Sequence, residues 1–241
     1  MRERYSVKLM PQVVLGVAAH PDDLDFVAAG AMAGWAAAGA DVCYLVLTDG
    51  SKGTEDRDIP PAKLIEQRRE EQLAAGKILG LKEVLFLDYP DGMLENSLDV
   101  KRDVARAIRR LRPDVMVTND PSVLYSADSG YINHPDHRAA GQAVLDAAYP
   151  LARDHLSFPE LMAEGFEPHK VRTVLLSNFE QQNFGVDISE TLDVKLKALA
   201  KHKSQIPDWE ATQSRVTRWA VAAGKKYGCR YAEAFVRIDI A

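Results

Sequence analysis

The chain has 241 residues, of which 46% are hydrophobic and 27% are charged, and its formal net charge is -5. This composition is typical of a globular protein and excludes the fibrous and disordered classes. Nucleic acids attract basic surfaces, so a mildly acidic chain is a poor candidate for binding them. We expect one domain over residues 1–241, with its core at about 13–238, because α/β folds of this length are often undivided.

The apolar segments and the cysteines indicate the compartment. The longest mostly apolar run, Phe26–Ala40, is too short to span a bilayer. The apolar run Val13–Ala19 is too short for a secretory signal peptide. Two cysteines, Cys43 and Cys229, are too few for a disulfide framework and suit a reducing compartment. We therefore expect a cytoplasmic protein that does not bind membranes.

Short apolar segments alternate along the chain with segments of helical periodicity. The predicted strands are Val13–Ala19, Val42–Thr48, Val84–Leu87, Val115–Thr118, Thr173–Ser177 and Tyr231–Ile238. The predicted helices are Leu24–Ala38, Lys63–Leu79, Leu98–Leu111, Arg138–Ala148, Leu192–His202 and Asp208–Ala223. Apolar strands without alternation are typical of parallel sheets covered on both faces. The pattern predicts an α/β fold, with a Rossmann-like, doubly wound and mostly parallel sheet that has helices on both faces.

Two segments and one helix face carry weaker signals. Asp120–Asn133 is predicted to be a polar loop, and Leu151–Lys170 an insertion on the sheet. The helix predicted at Leu98–Leu111 has basic residues outside its apolar stripe. They are Lys101, Arg102, Arg106 and Arg109. We interpret them as a solvent-exposed helix face rather than as a phosphate or partner site.

The segment Ala19-His20-Pro21-Asp22-Asp23 directly follows the first predicted strand. In an open α/β sheet the carboxyl ends of the strands line the ligand crevice. This segment would therefore deliver one imidazole and two carboxylates to the crevice. The alternative is a polar turn between strand and helix, with Asp23 as the N-cap.

A second motif, His134-Pro135-Asp136-His137, follows the polar loop and precedes a predicted helix. Pro135 suits a first helical turn. Positions three apart on a helix share a face, so His134 and His137 can point together into the crevice. The alternative is a capped helix with surface histidines. Together with His20, the motif predicts a metal site with catalytic groups beside it.

The residue types indicate the metal. Two histidines and one carboxylate, with an open position for water, are a catalytic zinc arrangement. The same ligand set occurs in non-haem iron enzymes, so Fe²⁺ or another divalent metal stays open. Those enzymes usually have an all-β scaffold, and zinc is therefore favoured.

Both motifs resemble signatures of the PIG-L/LmbE-like N-deacetylase family. Further stretches that resemble its pattern, in order, are LTDGSKG (Leu47–Gly53), RREEQLAAGKILG (Arg68–Gly80), LDYPDG (Leu87–Gly92), RPDVMVTNDP (Arg112–Pro121), VDIS (Val186–Ser189), HKSQ (His202–Gln205) and YAEAF (Tyr231–Phe235). The resemblance covers the chain from Val13 to Phe235. It departs at Leu24, where many family members have an acidic residue.

The resemblance implies a cofactor and a substrate class. His20, Asp23 and His137 would be the ligands of a zinc ion. The substrate would be a small N-acetylated sugar of the N-acetylglucosamine type, which loses its acetyl group. Oligomers are common in the family, so a homo-oligomer is compatible with the sequence, which itself shows no interface.

The resemblance also implies the catalytic groups. Asp22 would be the general base that activates the attacking water. His134 would polarise the tetrahedral intermediate and protonate the leaving amine. Asp136 would orient one of the neighbouring histidines.

Three further residues are predicted to bind substrate. Arg68 lies on the helical face that should contact the sheet; the alternative is an exposed pair with Glu71. Asp91 follows the third predicted strand, although Pro-Asp-Gly is also a good turn sequence. His202 lies at the end of a predicted helix, where a histidine is often structural.

Other functions remain as alternatives. The same site could serve a metal-dependent hydrolase of a different amide or of a phosphate ester. A dinucleotide-binding protein is disfavoured, because the first strand leads to His-Pro-Asp-Asp and not to G-x-G-x-x-G. A non-enzymatic binding role would require the metal site to be idle.

Overall fold

A computed structural model describes residues 9–127, 130–178 and 181–241. Residues 1–8 of the predicted domain, and 128–129 of the predicted loop Asp120–Asn133, lie outside this description. No helix within the described ranges is long and apolar enough to cross a bilayer.

Seven strands form the main sheet. They are β1 (Val13–Ala18), β2 (Asp41–Thr48), β3 (Glu83–Tyr89), β4 (Val115–Asn119), β7 (Thr173–Ser177), β8 (Phe184–Asp187) and β9 (Ala232–Asp239). Their order across the sheet is β3-β2-β1-β4-β7-β9-β8. The first five strands in that order are parallel, and β9 runs antiparallel to both β7 and β8. The predicted doubly wound, mostly parallel sheet is confirmed.

Helices cover both faces of this sheet. They are α1 (Asp23–Val27), α2 (Ala29–Ala37), α3 (Pro61–Leu79), α4 (Leu98–Leu111), α5 (Pro135–Asp146), α6 (Pro159–Ala163), α7 (Leu192–Leu199) and α8 (Trp209–Tyr227). Alternate residues of β1 point to opposite faces. Val14 belongs to a core shared with α2, α3, α7 and α8, whereas Leu15 belongs to a core shared with α4 and α5. Both side chains are fully buried, which explains the unbroken apolar run in the sequence.

The structure differs from the sequence prediction in local elements. The helix predicted at Leu24–Ala38 is two helices, because Ala28 leaves helical geometry at φ -139° and ψ -4°. The short edge strand β8 was not predicted. The polar loop contains a small hairpin of β5 (Tyr125–Ser126) and β6 (Tyr131–Ile132). A kinked segment at Ala147–Leu151, in which Tyr149 has a non-helical backbone, leads from α5 into the insertion. The insertion itself contains α6.

The prediction that the basic face of α4 is solvated is wrong at Arg109. This side chain is only 2% exposed. Its guanidinium donates hydrogen bonds to the carbonyls of Leu151, Ala152, Asp154 and Ser157. The insertion folds back over α4 and presents carbonyls that no helix or strand satisfies. A buried guanidinium, with its several donors, satisfies them instead.

The other three basic residues of that face are partly exposed, as expected. Lys101, Arg102 and Arg106 form ion pairs at the surface with Asp146, Asp99 and Glu164 respectively. Exposed pairs of this kind add little to stability.

Candidate active site

The two sequence motifs meet at the point where the strand order reverses. β1 lies between β2 and β4 in the sheet. The strands that follow β1 in sequence, β2 and β3, lie on one side of it, and β4 lies on the other side. The first motif follows β1 directly, and the second follows β4 through the loop that contains the hairpin. This crevice at the carboxyl ends of the strands is the usual ligand site of open α/β sheets.

Asp22 has an unusual backbone conformation. Its φ of 92° and ψ of -29° lie on the left-handed side, which a residue other than glycine rarely adopts. Asp22 is the N-cap residue of α1, but its side chain makes no capping hydrogen bond. The alternative in which Asp23 caps the helix is therefore wrong, since Asp23 is the first helical residue. Beyond this turn the carboxylate of Asp23 lies between His20 and His137, and that of Asp22 lies near Arg68.

Asp23 joins the two motifs. Its Oδ2 lies 3.4 Å from Nδ1 of His20, and its Oδ1 lies 3.1 Å from Nε2 of His137. The same Oδ2 accepts the backbone N–H of His20 at 2.8 Å. One carboxylate thus lies between two imidazole nitrogens that come from different ends of the chain. The three residues predicted to bind metal are brought together.

His20 is held from its other side. Its Nε2 lies 3.2 Å from Asp136 Oδ2 and 3.1 Å from Asp91 Oδ1. Asp136 is fully buried and also accepts the backbone N–H groups of Gly92 and Leu94, at 2.7 and 3.1 Å. A carboxylate bonded to one ring nitrogen fixes the orientation of the imidazole and leaves the other nitrogen for a metal. Here Nδ1, on the side of Asp23, is the nitrogen left.

Among the described residues, two groups of three side chains have potential ligand atoms within 4.8 Å of one another. One is His20 with His134 and His137, and the other is His20 with Asp91 and Asp136. The second group is already engaged, because the carboxylates bond to His20 and to backbone N–H groups. We therefore favour the histidine side, where Asp23 adds a carboxylate.

Burial and neighbouring charges set the ionisation of this site. Burial lowers the pKa of His20, but Asp23, Asp136 and Asp91 outweigh it and raise the pKa to about 12. Burial opposes ionisation of Asp23, yet His137 and His20 hold its pKa well below the usual range. Burial and the charge of Asp23 raise the pKa of Asp22 to about 6, against the opposing charge of Arg68. The two adjacent carboxylates therefore have very different proton affinities, which is typical of groups with different roles.

His134 is the exposed member of the histidine cluster. It is the N-cap residue of α5, and its Nδ1 accepts the backbone N–H of Asp136 at 3.2 Å. Its ring centroid lies 4.8 Å from that of His20 and 5.3 Å from that of His137. Burial and the two neighbouring histidines lower its pKa. The alternative of two unrelated surface histidines does not fit this cluster.

Arg68 lies beneath the first motif. Its guanidinium donates to the carbonyls of Gly50 and Pro21, both at 2.9 Å, and approaches Asp22 at 3.6 Å. The side chain is 4% exposed, so the alternative of an exposed pair with Glu71 is wrong. The structure places Arg68 where it holds the loops that carry the carboxylates.

The other two residues predicted to bind substrate also lie behind the reactive groups. Asp91 contacts His20 and accepts the backbone N–H of Lys52. His202 is 1% exposed and its Nε2 lies 2.7 Å from Asp25 Oδ2. In the described part of the chain, neither they nor Arg68 line the cavity beside Asp23 and His137.

That cavity, called the site cavity below, has a volume of about 430 Å³. Asp23 and His137 form part of its wall. Lining residues that the sequence did not reveal include Asp120, Tyr131, Asn133, Asn178 and Trp219. Asp120 and Asn178 each follow a sheet strand, which is a usable signal. Trp219 lies within α8, where periodicity offers no such signal.

Residues 15–148 match the family model described as PIG-L: GlcNAc-PI de-N-acetylase. The chain belongs to this family. A de-N-acetylase is a hydrolase that cleaves an amide C–N bond, and the chain is such an enzyme.

Relatives of this de-N-acetylase agree with the match. Diacetylchitobiose deacetylase of Thermococcus kodakarensis is 35% identical over 222 residues, which are 91% of this chain and 80% of that protein. A 1D-myo-inositol 2-acetamido-2-deoxy-alpha-D-glucopyranoside deacetylase of Nakamurella multipartita is 33% identical over 173 residues, 59% of this chain and 56% of that protein. The solved structure of N,N'-diacetylchitobiose deacetylase from Pyrococcus horikoshii, in complex with its inhibitor MPG, aligns with a TM-score of 0.87. It is 29% identical, and the alignment covers 95% of this chain and 84% of that one.

Proposed function

We propose that this de-N-acetylase removes the acetyl group from an N-acetylglucosamine unit of a small saccharide, with a zinc ion held by His20, Asp23 and His137. The observation that carries the proposal is the position of Asp23 between Nδ1 of His20 and Nε2 of His137. The relatives named as deacetylases of N-acetylated sugars support the substrate class.

The donor set fits a divalent metal. Two imidazole nitrogens and one carboxylate converge, and the far nitrogen of His20 is fixed by Asp136. The set also suits Fe²⁺, so the choice of zinc depends on the chemistry of the site and needs metal analysis. When bound, such an ion acts as a Lewis acid toward water and toward the amide carbonyl.

Asp22 supplies the base. Its raised pKa, about 6, leaves the carboxylate ionised at neutral pH but close enough to neutrality to accept a proton from water. It is adjacent to Asp23 in the chain, so it lies beside the ligand set. Arg68, at 3.6 Å, lowers the pKa of this carboxyl and so favours its ionised form.

His134 supplies a hydrogen-bond donor for the negative charge that develops on the substrate oxygen. Because its Nδ1 accepts the N–H of Asp136, its neutral form carries the proton on Nε2. That N–H can donate a hydrogen bond to the oxyanion of the tetrahedral intermediate. The leaving amine then takes the proton that Asp22 has removed from water, so His134 keeps its own proton. Its exposed position at the start of α5 leaves the ring accessible to a substrate.

The direct test combines metal analysis with release of free amine from N,N'-diacetylchitobiose. We expect about one zinc per chain, loss of activity on chelation and recovery with zinc. Asp22→Asn should retain the metal and lose turnover by about 10²-fold or more. Asp193→Asn, a matched change at an exposed carboxylate on α7, should behave as the unmodified protein. Full activity of Asp22→Asn, or activity that survives removal of the metal, would contradict the proposal.

A further inference from the structure

Asp120 is a buried acidic residue in the wall of the site cavity, and it has no part in the proposed chemistry. It directly follows β4, which lies beside β1 in the sheet, so it reaches the same crevice as the first motif. The residue is only 5% exposed, and it shares the cavity wall with Asp23 and His137. A substrate whose acetamide group reaches the proposed metal ligands therefore lies in the same cavity as Asp120.

The carboxylate of Asp120 is held in place by serine and asparagine. Its Oδ1 accepts the backbone N–H of Ser122 at 2.8 Å and the hydroxyl of the same residue at 2.6 Å. Its Oδ2 accepts the side-chain amide of Asn178 at 2.7 Å. A carboxylate offers about four acceptor positions, which are divided equally between its oxygens. Oδ1 is therefore fully used, whereas Oδ2 keeps a position for a further donor.

Asp120 differs from the other carboxylates of the site in its surroundings. Asp22 lies 3.6 Å from Arg68, and Asp23 lies 3.1 Å from His137. Within the ranges that the structure describes, no basic side chain forms such a pair with Asp120. A buried charge without a basic partner depends on hydrogen bonds. A ligand with a hydroxyl group would add one, and a hydrogen bond to a charged acceptor is stronger than one between neutral groups.

The loop that carries Asp120 is fixed relative to the second motif. Asn133, which immediately precedes His134, donates from Nδ2 to the carbonyls of Asp120 and Val123, at 3.3 and 2.8 Å. Asn178, which holds Oδ2, follows the neighbouring strand β7. The carboxylate is thus preorganised, and a preorganised group binds a ligand without the cost of being ordered first.

The local turn explains only one oxygen of Asp120. Asp187 forms the same Asp-x-Ser turn at the end of β8, where its Oδ1 accepts the backbone N–H and the hydroxyl of Ser189 at 2.8 and 2.6 Å. Asp187 is nevertheless exposed and lies outside the wall of the site cavity. The turn therefore does not require a buried carboxylate, and the burial of Asp120 in the cavity wall needs another explanation.

The rest of the cavity wall suits a sugar ring. It includes residues with amide or hydroxyl side chains, such as Asn119 and Ser126, and apolar residues, such as Phe26 and Val27. Trp219 combines an apolar face with a polar N–H. A pyranose likewise has C–H surfaces and hydroxyl groups, so both kinds of wall residue find a counterpart on it.

We propose that Asp120 is a specificity-determining residue that accepts a hydrogen bond from one ring hydroxyl group of the sugar that loses its acetyl group. The inference rests on the proposed deacetylase function and deepens it, because it assigns recognition of the sugar to the carboxylate that follows β4. A site built to bind a hydroxyl group disfavours an analogue that lacks it, since the buried acceptor is then left without its donor.

The experiment changes the enzyme and the substrate in parallel. We measure kcat/KM of the zinc-loaded enzyme on N,N'-diacetylchitobiose and on analogues in which hydrogen replaces one free hydroxyl group of the sugar that loses its acetyl group. One analogue should be about 10–100-fold poorer than the parent sugar for the unmodified enzyme. Asp120→Asn, which removes the charge at similar volume, should lower kcat/KM on the parent sugar about 10–100-fold, mainly through KM and with unchanged zinc content. The same analogue should then be no more than about threefold poorer than the parent for Asp120→Asn, because the partner of its hydroxyl group is already lost.

Asp187→Asn is the matched control. It makes the same exchange in the same kind of turn, and kcat/KM on every sugar should stay within about twofold of the unmodified enzyme. A purely structural role for Asp120 would lower the Tm and reduce kcat/KM on all sugars by one common factor. The analogue series on the unmodified enzyme requires no variant, so it tests the proposal even if Asp120→Asn folds poorly.

The outcomes separate this inference from the proposed function. If no analogue is more than about threefold poorer for the unmodified enzyme, or if Asp120→Asn lowers kcat/KM equally on every sugar, Asp120 does not bind a hydroxyl group. The proposed deacetylase function stands in both cases, because amine is still released. If the zinc-loaded enzyme releases amine from none of these sugars, the proposed function fails and this inference fails with it.

Discussion

The side-chain amide of Gln72 accepts the backbone N–H of Asp22 at 2.8 Å. Asp22 is the residue held at φ 92°, so this hydrogen bond stabilises a conformation that the backbone alone disfavours. Gln72 Nε2 in turn donates to Asp25 Oδ2 at 3.1 Å, and Asp25 also contacts His202. A buried network behind the site thus sets the position of the proposed base.

Gln72→Met tests this relationship. Methionine has a similar volume but cannot accept the N–H of Asp22, so Asp22 should leave its productive position. We expect kcat to fall about 10–100-fold with little change in KM or in metal content, because the substrate and metal contacts remain. Gln67→Met is a matched control on the same helix, since Gln67 donates to Glu71 and not to the backbone of Asp22. A purely structural role for Gln72 would lower the Tm without this selective loss of kcat.

The contact between His202 and Asp25 predicts a pH-dependent stability. Burial lowers the pKa of His202, but Asp25, with Asp22 and Glu71, outweighs it and raises the pKa above its ordinary 6.5. A group whose pKa is raised on folding stabilises the protein below its unfolded pKa, and this contribution is lost as the pH rises through the folded pKa. The free energy of unfolding lost in His202→Gln should therefore be larger at pH 6 than at pH 9. Urea unfolding at the two pH values measures it, and an equal loss at both would show that His202 is neutral in the folded protein.

The buried position of Arg109 away from the site predicts that its replacement lowers the free energy of unfolding but leaves the catalytic rate unchanged. Arg109→Met removes hydrogen bonds to carbonyls in the insertion after α5. It leaves the carbonyls of Leu151, Asp154 and Ser157 without this donor, whereas that of Ala152 still accepts the backbone N–H of His169. We expect a loss of about 2–5 kcal/mol in the free energy of unfolding. Arg106→Met on the same helix removes partly exposed pairs with Glu164 and Asp103 and should cost less than about 1 kcal/mol. Equal losses for the two variants would contradict the role assigned to Arg109.

The sheet could be predicted from the sequence because its central strands are buried on both faces. Val14 and Leu15 face opposite cores, and both must be apolar, so the strand appears as an unbroken run. β8 lacks this signal because it is a short edge strand. The split after α1 depends on the backbone of Ala28, and alanine favours an unbroken helix in sequence.

The candidate site was predictable where ligand-type residues follow strands in short motifs. The position of His20 beside Asp136 could be expected from topology, because both motifs end at one edge of the sheet. Gln72 and Trp219 could not be found in this way. Their side chains reach the crevice from the middle of long helices, where only the packing angle decides which residues face it. Arg109 was misinterpreted for the same reason. The periodicity of a helix shows which residues share a face, but it does not show which other segment packs against that face.

The contact between Asp136 and His20 predicts that Asp136 affects the affinity for the metal more than the catalytic rate. Asp136→Asn keeps the size of the side chain but removes the charge that holds Nε2 of His20. The imidazole then loses its fixed orientation and part of its basicity, so zinc affinity should fall about 10–100-fold. Competition with a chromogenic chelator measures the affinity, and kcat at saturating zinc should fall less than the affinity does. Asp103→Asn is the control, because Asp103 accepts the hydroxyl of Tyr89 away from the site. An unchanged zinc affinity in Asp136→Asn would mean that Asp91, at 3.1 Å from the same nitrogen, orients His20 alone.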